Sequence, residues 1–359
     1  MGIKCIRCNT DNTASDRRSH AGRCKNCGHS FVFELTTING RRITDKYFAG
    51  CLATISSQDT LYFTESQFFY FLQKRLGKVK NAKFNLIFPG VMLTLIGGIT
   101  IPDAILRLCA VILGIVLILL GFNSTGGELD ALSQEQFKDL MRCWQKVNPI
   151  PKMLPKVTAE LKPVEINSEI LAYSFDKAVI CDNDAIAQML IANNFHFENN
   201  CAILSINGYP QGIFGSVMQM LRRNPDLKVY ALHDASPDGI KLPYLLQTSN
   251  DWFANDSATV YQLGMLPRQV IKNRKLPVQV SANYTLKAQQ LPPEVRQSLS
   301  TTELKWLEEG KFLELESFSP RKIIQILNQG MARSQNTPAD SLVEIDGDRY
   351  YVDQTFSFG

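Results

Sequence analysis

The sequence lacks the start of an exported protein. Met1 leads directly into polar Lys4, Arg7 and the first cysteine pair, with no apolar stretch behind a basic opening, so no cleavable signal peptide is expected. Net charge is also scarce, +4 over 359 residues, and with 45% hydrophobic and 20% charged residues a largely disordered or collagenous chain is excluded. A disulfide framework is missing as well. Of nine cysteines, four form one metal-type cluster, and Cys51, Cys109, Cys143, Cys181 and Cys201 are scattered in apolar surroundings, the usage of a reducing compartment.

What is present is unevenly distributed. The length exceeds one average domain and suits two or three. Residues 1–83 hold 14 Lys/Arg against 6 Asp/Glu, a net of +8, so the remainder carries −4. The basic end is therefore the part suited to phosphate, whether of nucleic acid or of a lipid headgroup. Its alternative role is a solubilising surface.

Cys5-Ile-Arg-Cys8 and Cys24-Lys-Asn-Cys27 are two C-x2-C pairs with fifteen residues between them. Each pair can fold into a knuckle that aims both thiolates at one point, and two knuckles complete a closed four-thiolate site for structural zinc. Iron or an iron–sulfur cluster in the same thiolates is the competing reading. A zinc ribbon over residues 1–35 follows, and metal binding would supply most of its folding free energy. Arg17, Arg18, Arg23 and Lys25 decorate it and are candidates for nucleic-acid contact.

Residues 36–83 read as a small basic unit. Helical spacing in 44–57, a short strand at Thr60-Leu61-Tyr62-Phe63, and a second helix opened by the capping box Thr64-x-x-Gln67 give helix, strand, helix. The second helix ends at Lys74-Arg75, two further candidates for nucleic-acid contact, and the order is compatible with a winged-helix-like fold. Residues 84–122 follow with two almost uncharged apolar stretches, 84–101 and 104–122, around a Pro102-Asp103 turn. They predict a two-helix transmembrane hairpin, with Arg107 snorkelling to the interface; a buried hairpin in a soluble core is the alternative. Lys78, Lys80 and Lys83 before the hairpin place that flank in the cytoplasm, and two crossings return the chain, so both termini of this integral membrane protein are expected there.

After a proline-containing linker, 123–168, short apolar runs alternate with helical patterns. The runs are 178–181, 201–205, 228–232 and 258–261, and the helices 184–195, 211–223 and 239–248. This alternation predicts a parallel sheet covered by helices, and ligands of such sheets bind beyond the carboxyl ends of the strands. That directs attention to Asp182, to Asn207-Gly208, and to His233-Asp234-Ala235-Ser236-Pro237-Asp238-Gly239.

At this last segment the chain resembles the Toprim fold, and within it the topoisomerase VI A subunit family. The family motif D-x-D-P-x-G is matched by Asp234-Ala235-Ser236-Pro237-Asp238-Gly239 except that Ser236 replaces the second Asp, and the family's Glu after the first strand falls at Asp182. The resemblance implies Mg2+ held by Asp182 and Asp234, with Asp238 able to compensate for Ser236. It also implies a catalytic Tyr in a preceding winged helix, where Leu61-Tyr62-Phe63 puts Phe63 at the aligned position and leaves Tyr62 for a shifted register. The Toprim-like α/β domain is expected over 169–335, with Ser300-x-x-Glu303 and Ser319-Pro320 opening two of its later helices, and a β-hairpin over 336–359.

The chain therefore reads as a multidomain α/β protein, anchored in a membrane and facing the cytoplasm, whose degenerate Toprim-like domain binds nucleic acid or a partner without cutting. One alternative is a Mg2+-dependent nuclease using Asp182, Asp234 and Asp238 on DNA at the membrane, in defence against foreign DNA. Another is a membrane adaptor for a protein partner or for a second copy of itself.

Overall fold

Two strands of two residues, β1 (Ile3–Lys4) and β2 (Asp11–Asn12), pair antiparallel with Ile3 opposite Asn12. They lead into α1 (Ala14–Ser19), whose capping box is closed between Thr13 and Asp16. So little chain gathers Ile3, Cys5, Cys24 and Phe31 into one small apolar cluster, with Cys8 and Cys27 packed against it, so the cysteines are its organising feature. In this computed structural model the described residues are 2–33, 36–38, 41–76, 78–79, 89, 91–94, 104–123, 129–130, 132–157, 175–254, 257–273 and 276–334.

The chain divides into two units, residues 1–48 with 72–148 and residues 49–71 with 149–359. Helices α2 (Asp45–Ile55) and α3 (Glu65–Leu76) lie where helical spacing placed them. Between them Ser57, Gln58 and Asp59 all take positive φ, at 50°, 61° and 59°. Ser56 holds this turn by accepting from Asp59 N at 3.0 Å and donating to Leu52 O at 2.8 Å. The strand expected at 60–63 is reduced to one bridge: Phe63 N donates to Lys152 O and Leu154 N to Phe63 O, at 3.0 and 2.9 Å. The described strands within residues 36–83 are instead Thr37–Ile38, paired antiparallel with Arg41–Arg42, and Lys78–Val79.

In the first unit, α4 (Ala104–Asn123) exposes Ile105, Leu106, Leu108, Ile112, Leu113, Ile115, Val116 and Leu119, Ile105 by 80%. The expected pair of crossings is not found: among the described residues no helix is long and apolar enough to cross a membrane. Residues 84–101 and the Pro102-Asp103 turn lie mostly outside the described residues. Helix α5 (Gln134–Gln145) then buries Phe137, Leu140, Met141 and Trp144. The Trp144 ring lies 4.8 Å from that of Phe48 and 5.9 Å from that of Phe33, an aromatic cluster at the heart of this unit.

The second unit is built on β3 (Lys177–Cys181), α6 (Asp184–Ala192), β4 (Cys201–Ser205), α7 (Phe214–Arg222), β5 (Lys228–Leu232), α8 (Pro237–Thr248) and β6 (Thr259–Gln262). The four strands pair parallel in the order β6-β5-β3-β4. Their side chains alternate between two cores, Val179, Cys181, Tyr230 and Leu232 toward one and Ala178, Ile180, Val229 and Ala231 toward the other. That is the burial on both faces that continuous apolar runs demand. Downstream, α9 (Thr301–Glu308) is closed by the Ser300–Glu303 capping box, and α10 (Pro320–Ser334) packs Ile323, Leu327 and Met331 into the first of these cores. The C-terminal hairpin expected over 336–359 lies outside the described residues.

Candidate functional site

Strand order places the site. After β3 the chain moves to one side to form β4 and then returns to the other side of β3 for β5, so the topological switch lies between β3 and β5. At such a point the two following loops diverge and leave a crevice at the carboxyl ends. Asp182 follows β3 there, and His233 and Asp234 follow β5. The structure brings Asp182 and Asp234 together: Asp234 N donates to Asp182 Oδ2 at 2.6 Å.

Asp234-Ala235-Ser236-Pro237-Asp238-Gly239 turns straight into α8. Ser236 is its N-cap, accepting from Gly239 N at 3.1 Å, Pro237 stands in the first turn, and Asp238 adds a negative charge there. Gly239 is required by close approach: a Cβ would lie 2.5 Å from Asp234 O and 2.9 Å from Asp182 Oδ2 and Asp234 N. Asp238 is exposed and paired at 2.5 Å with Lys287.

A second segment closes over the first. Ala235 and Leu313 exchange both backbone hydrogen bonds, at 3.0 and 3.1 Å, and Asp234 Oδ1 accepts from Leu315 N at 2.5 Å. This carries Glu314 and Glu316 to the site. Glu316 accepts from Thr64 Oγ1 at 2.7 Å and Asn183 Nδ2 at 3.2 Å, and Glu314 accepts from Tyr70 Oη at 2.6 Å. Sequence reading missed both glutamates, and the only signal was the alternation Phe312-Leu313-Glu314-Leu315-Glu316 after a short strand.

Crowding and poor hydration drive the acids of the crevice toward their protonated forms. Burial, together with the charges of Asp238 and Glu316, pushes Asp182 up to about 7. Asp234 is pushed well up by burial and by Asp182, Glu314 and Glu316, and Glu316 is raised chiefly by burial. Beneath Asp234 the His233 ring lies across Gly264, its Nδ1 2.8 Å from Asp234 O and its Nε2 3.0 Å from Gln262 Nε2. Burial lowers its pKa to about 4, so the ring is neutral at pH 7 and acts as a strut for the Asp234 backbone.

Asp182 is partly exposed, yet its Oδ1 is enclosed and has no hydrogen-bond partner among the described residues. An orphaned carboxylate oxygen beside a second carboxylate is the donor chemistry of a hard dication, and the residues fit Mg2+ in that respect. No three acidic oxygens among the described residues converge within 4.8 Å, as the cysteine sulfurs do.

Those sulfurs, from Cys5, Cys8, Cys24 and Cys27, lie within 4.8 Å of one another, a group that could hold a metal ion. Cys5 to Cys27 is 3.7 Å and Cys8 to Cys24 is 3.5 Å. A zinc tetrahedron with bonds near 2.3 Å has edges of about 3.8 Å, so the spacing fits. The two knuckles have one form: Cys5 O accepts from Asn9 N, and Cys24 O from Gly28 N, with Asn9 and Gly28 at φ of 59° and 69°. Of the basic candidates, Arg18, Arg23, Lys25 and Lys74 are exposed and Arg75 partly so. Arg17 is buried and donates to Asn12 O at 2.6 Å, which withholds its charge from the surface, and Lys25 pairs with Asp16 at 3.0 Å.

Phe63, the residue aligned with a catalytic tyrosine, is 1% exposed and has no hydroxyl. Tyr62, the residue of the shifted register, has its backbone held by Asn193 and its ring under Lys152 Nζ at 4.1 Å.

Residues 178–329 match the family model for the Toprim domain of Spo11 and the A subunit of topoisomerase 6. This stretch contains β3 to β6 and the Glu314-Leu315-Glu316 segment, and it is a Toprim domain resembling that of topoisomerase VI A. No curated protein matches the chain.

Proposed function

We propose that this Toprim domain binds nucleic acid together with a divalent cation and does not cut it through a tyrosine. The observation that carries the reading is the orphaned Asp182 Oδ1 beside Asp234 at the switch point of the sheet. Asp182 and Asp234 would hold the cation, which when bound offsets their charge and presents a positive centre to a phosphate oxygen. The chain's own residues fix the geometry: Leu315 N and the His233 strut orient Asp234, and Asp234 N orients Asp182. Support for the non-cutting part comes from the phenols. Tyr70 is engaged by Glu314, and Tyr284 is pushed up to about 12 by burial and the surrounding acids, which disfavours the phenolate.

The four cysteines are read as a structural zinc site, and exposed Arg18, Arg23 and Lys25 beside it as phosphate contacts. The test is fluorescence anisotropy of labelled single- and double-stranded DNA with the full chain in Mg2+ and in EDTA, followed by a denaturing gel. Binding that needs the cation, weakens steeply with salt and leaves the DNA intact is expected. Cleavage that Asp234→Ala abolishes would transfer the reading to a Mg2+-dependent nuclease, and absent or salt-independent binding to a protein partner.

A second reading, attachment to a membrane, is favoured by the exposed apolar side chains of α4. Flotation of the full chain with phosphatidylcholine vesicles tests it. Material that stays soluble without detergent and does not float removes it.

A further inference from the structure

A hard dication held by two carboxylates completes its shell with water and substrate oxygens, and a third carboxylate would hold it more tightly. Ser236 does not add to them, since its Oγ is turned to the Gly239 N–H at the start of α8. Asp238 is exposed and paired with Lys287. A third carboxylate would come from elsewhere in the chain.

The short antiparallel contact points to it. Ala235 and Leu313 face each other as a hydrogen-bonded pair, so the next pair outward is Asp234 opposite Glu314. Such a non-hydrogen-bonded pair projects both side chains to the same face with Cβ atoms about 4.5–5.5 Å apart. Like charges in that position repel, unless a cation lies between them. Glu314 is also held for such a role. Its Oε2 accepts from Tyr70 Oη at 2.6 Å, and Gln279 Nε2 donates to the same Tyr70 oxygen. Tyr70 is buried, so this contact is held inside the fold.

We propose that Glu314, held by Tyr70, becomes the third carboxylate of the cation site with Asp182 and Asp234 by turning in when the cation binds, since without it no three acidic oxygens among the described residues lie within 4.8 Å of one another. This rests on the cation reading above and assigns to a residue far along the chain the ligand that position 236 does not provide.

The test is Mn2+ titration of the full, zinc-loaded chain, followed by the loss of the free Mn2+ paramagnetic resonance signal, with thermal unfolding as the check on folding. The parent should bind one Mn2+, and Glu314→Gln should weaken binding at least tenfold. Adding Ser236→Asp to Glu314→Gln should recover most of the loss, because a carboxylate is returned to the same site. Should Glu314→Gln not fold, Glu314→Asp, which withdraws the charge by one methylene, is read instead with the same expected loss. Parent-like binding by the Glu314 variants while Asp234→Asn abolishes it overturns the assignment of Glu314 and leaves the cation site standing. A parent that takes up no Mn2+ overturns both.

Discussion

Asp182→Asn should stabilise the second unit at alkaline pH in the absence of divalent cations. The Asp182 carboxyl is raised from 3.8 to about 7, so the folded state binds its proton more tightly than the unfolded chain does. The stability this confers is fully present below 3.8 and is lost as pH rises through 7, which corresponds to roughly 4 kcal/mol at most. Asparagine keeps an oxygen to accept from Asp234 N and removes the charge. Part of the repulsion on Asp234 from Asp182 goes with it, whereas the partial exposure of Asp182 reduces the effect, so about 2–3 kcal/mol is expected at pH 8 and little at pH 4. At 2–4 °C per kcal/mol for a unit of this size, the variant should melt about 4–12 °C above the parent at pH 8. The quantity to read is the difference between variant and parent across pH 4–8 in EDTA. His233 is lowered to about 4, so its contribution runs the opposite way and is lost as pH falls, but it cancels in that difference. Equal melting temperatures at pH 8, or a gap that narrows as pH rises, would refute the claim that Asp182 is held against its charge.

Three further outcomes follow from the same geometry. About one zinc per chain should be found by elemental analysis and lost with Cys24→Ser, while the fold of the Toprim domain persists; iron, or no metal in freshly reduced protein, removes the zinc assignment. Gly239→Ala should cost about 1–3 kcal/mol in urea unfolding, despite alanine's better helix propensity, because its Cβ meets the Asp234 backbone at 2.5 Å; a neutral or stabilising result would mean the loop moves freely. Ser300→Ala removes the cap on Glu303 N and a hydroxyl from the buried Glu303 carboxylate, so a loss of about 1–2 kcal/mol is expected by the same measurement, and no change would show the cap to be dispensable.

The parts of the site that could be read from sequence are those whose chemistry is local. Two C-x2-C pairs bring their sulfurs together because each knuckle closes within five residues, and Asp234 to Gly239 announces a strand end and a helix start at once. Alternating apolar runs located all four strands within a residue, since burial on both faces leaves a continuous signature. Residues 60–63 misled because their pairing partner, Met153, lies some ninety positions away, and without it an apolar run of four is no strand. Tyr70, Glu314 and Glu316, and the bond Thr64 makes beyond its capping box, were silent for the same reason. Their hydrogen bonds span 244 to 252 residues, and nothing near any of them in sequence hints at the other.

Ser236 shows how a local rule and a distant contact combine. Serine and aspartate cap a helix about equally well, so capping alone does not select serine at this position. Charge does bear on the choice. Asp182, Asp234, Asp238, Glu314 and Glu316 already act on one another, and with a single lysine paired among them a sixth carboxylate at a position 2% exposed would drive Asp234 further toward its protonated form. Once Glu314 stands across from Asp234, serine keeps the cap and spares the repulsion. The departure from the D-x-D pattern that looks like decay in the sequence is thus accounted for by a carboxylate arriving from the other side of the crevice.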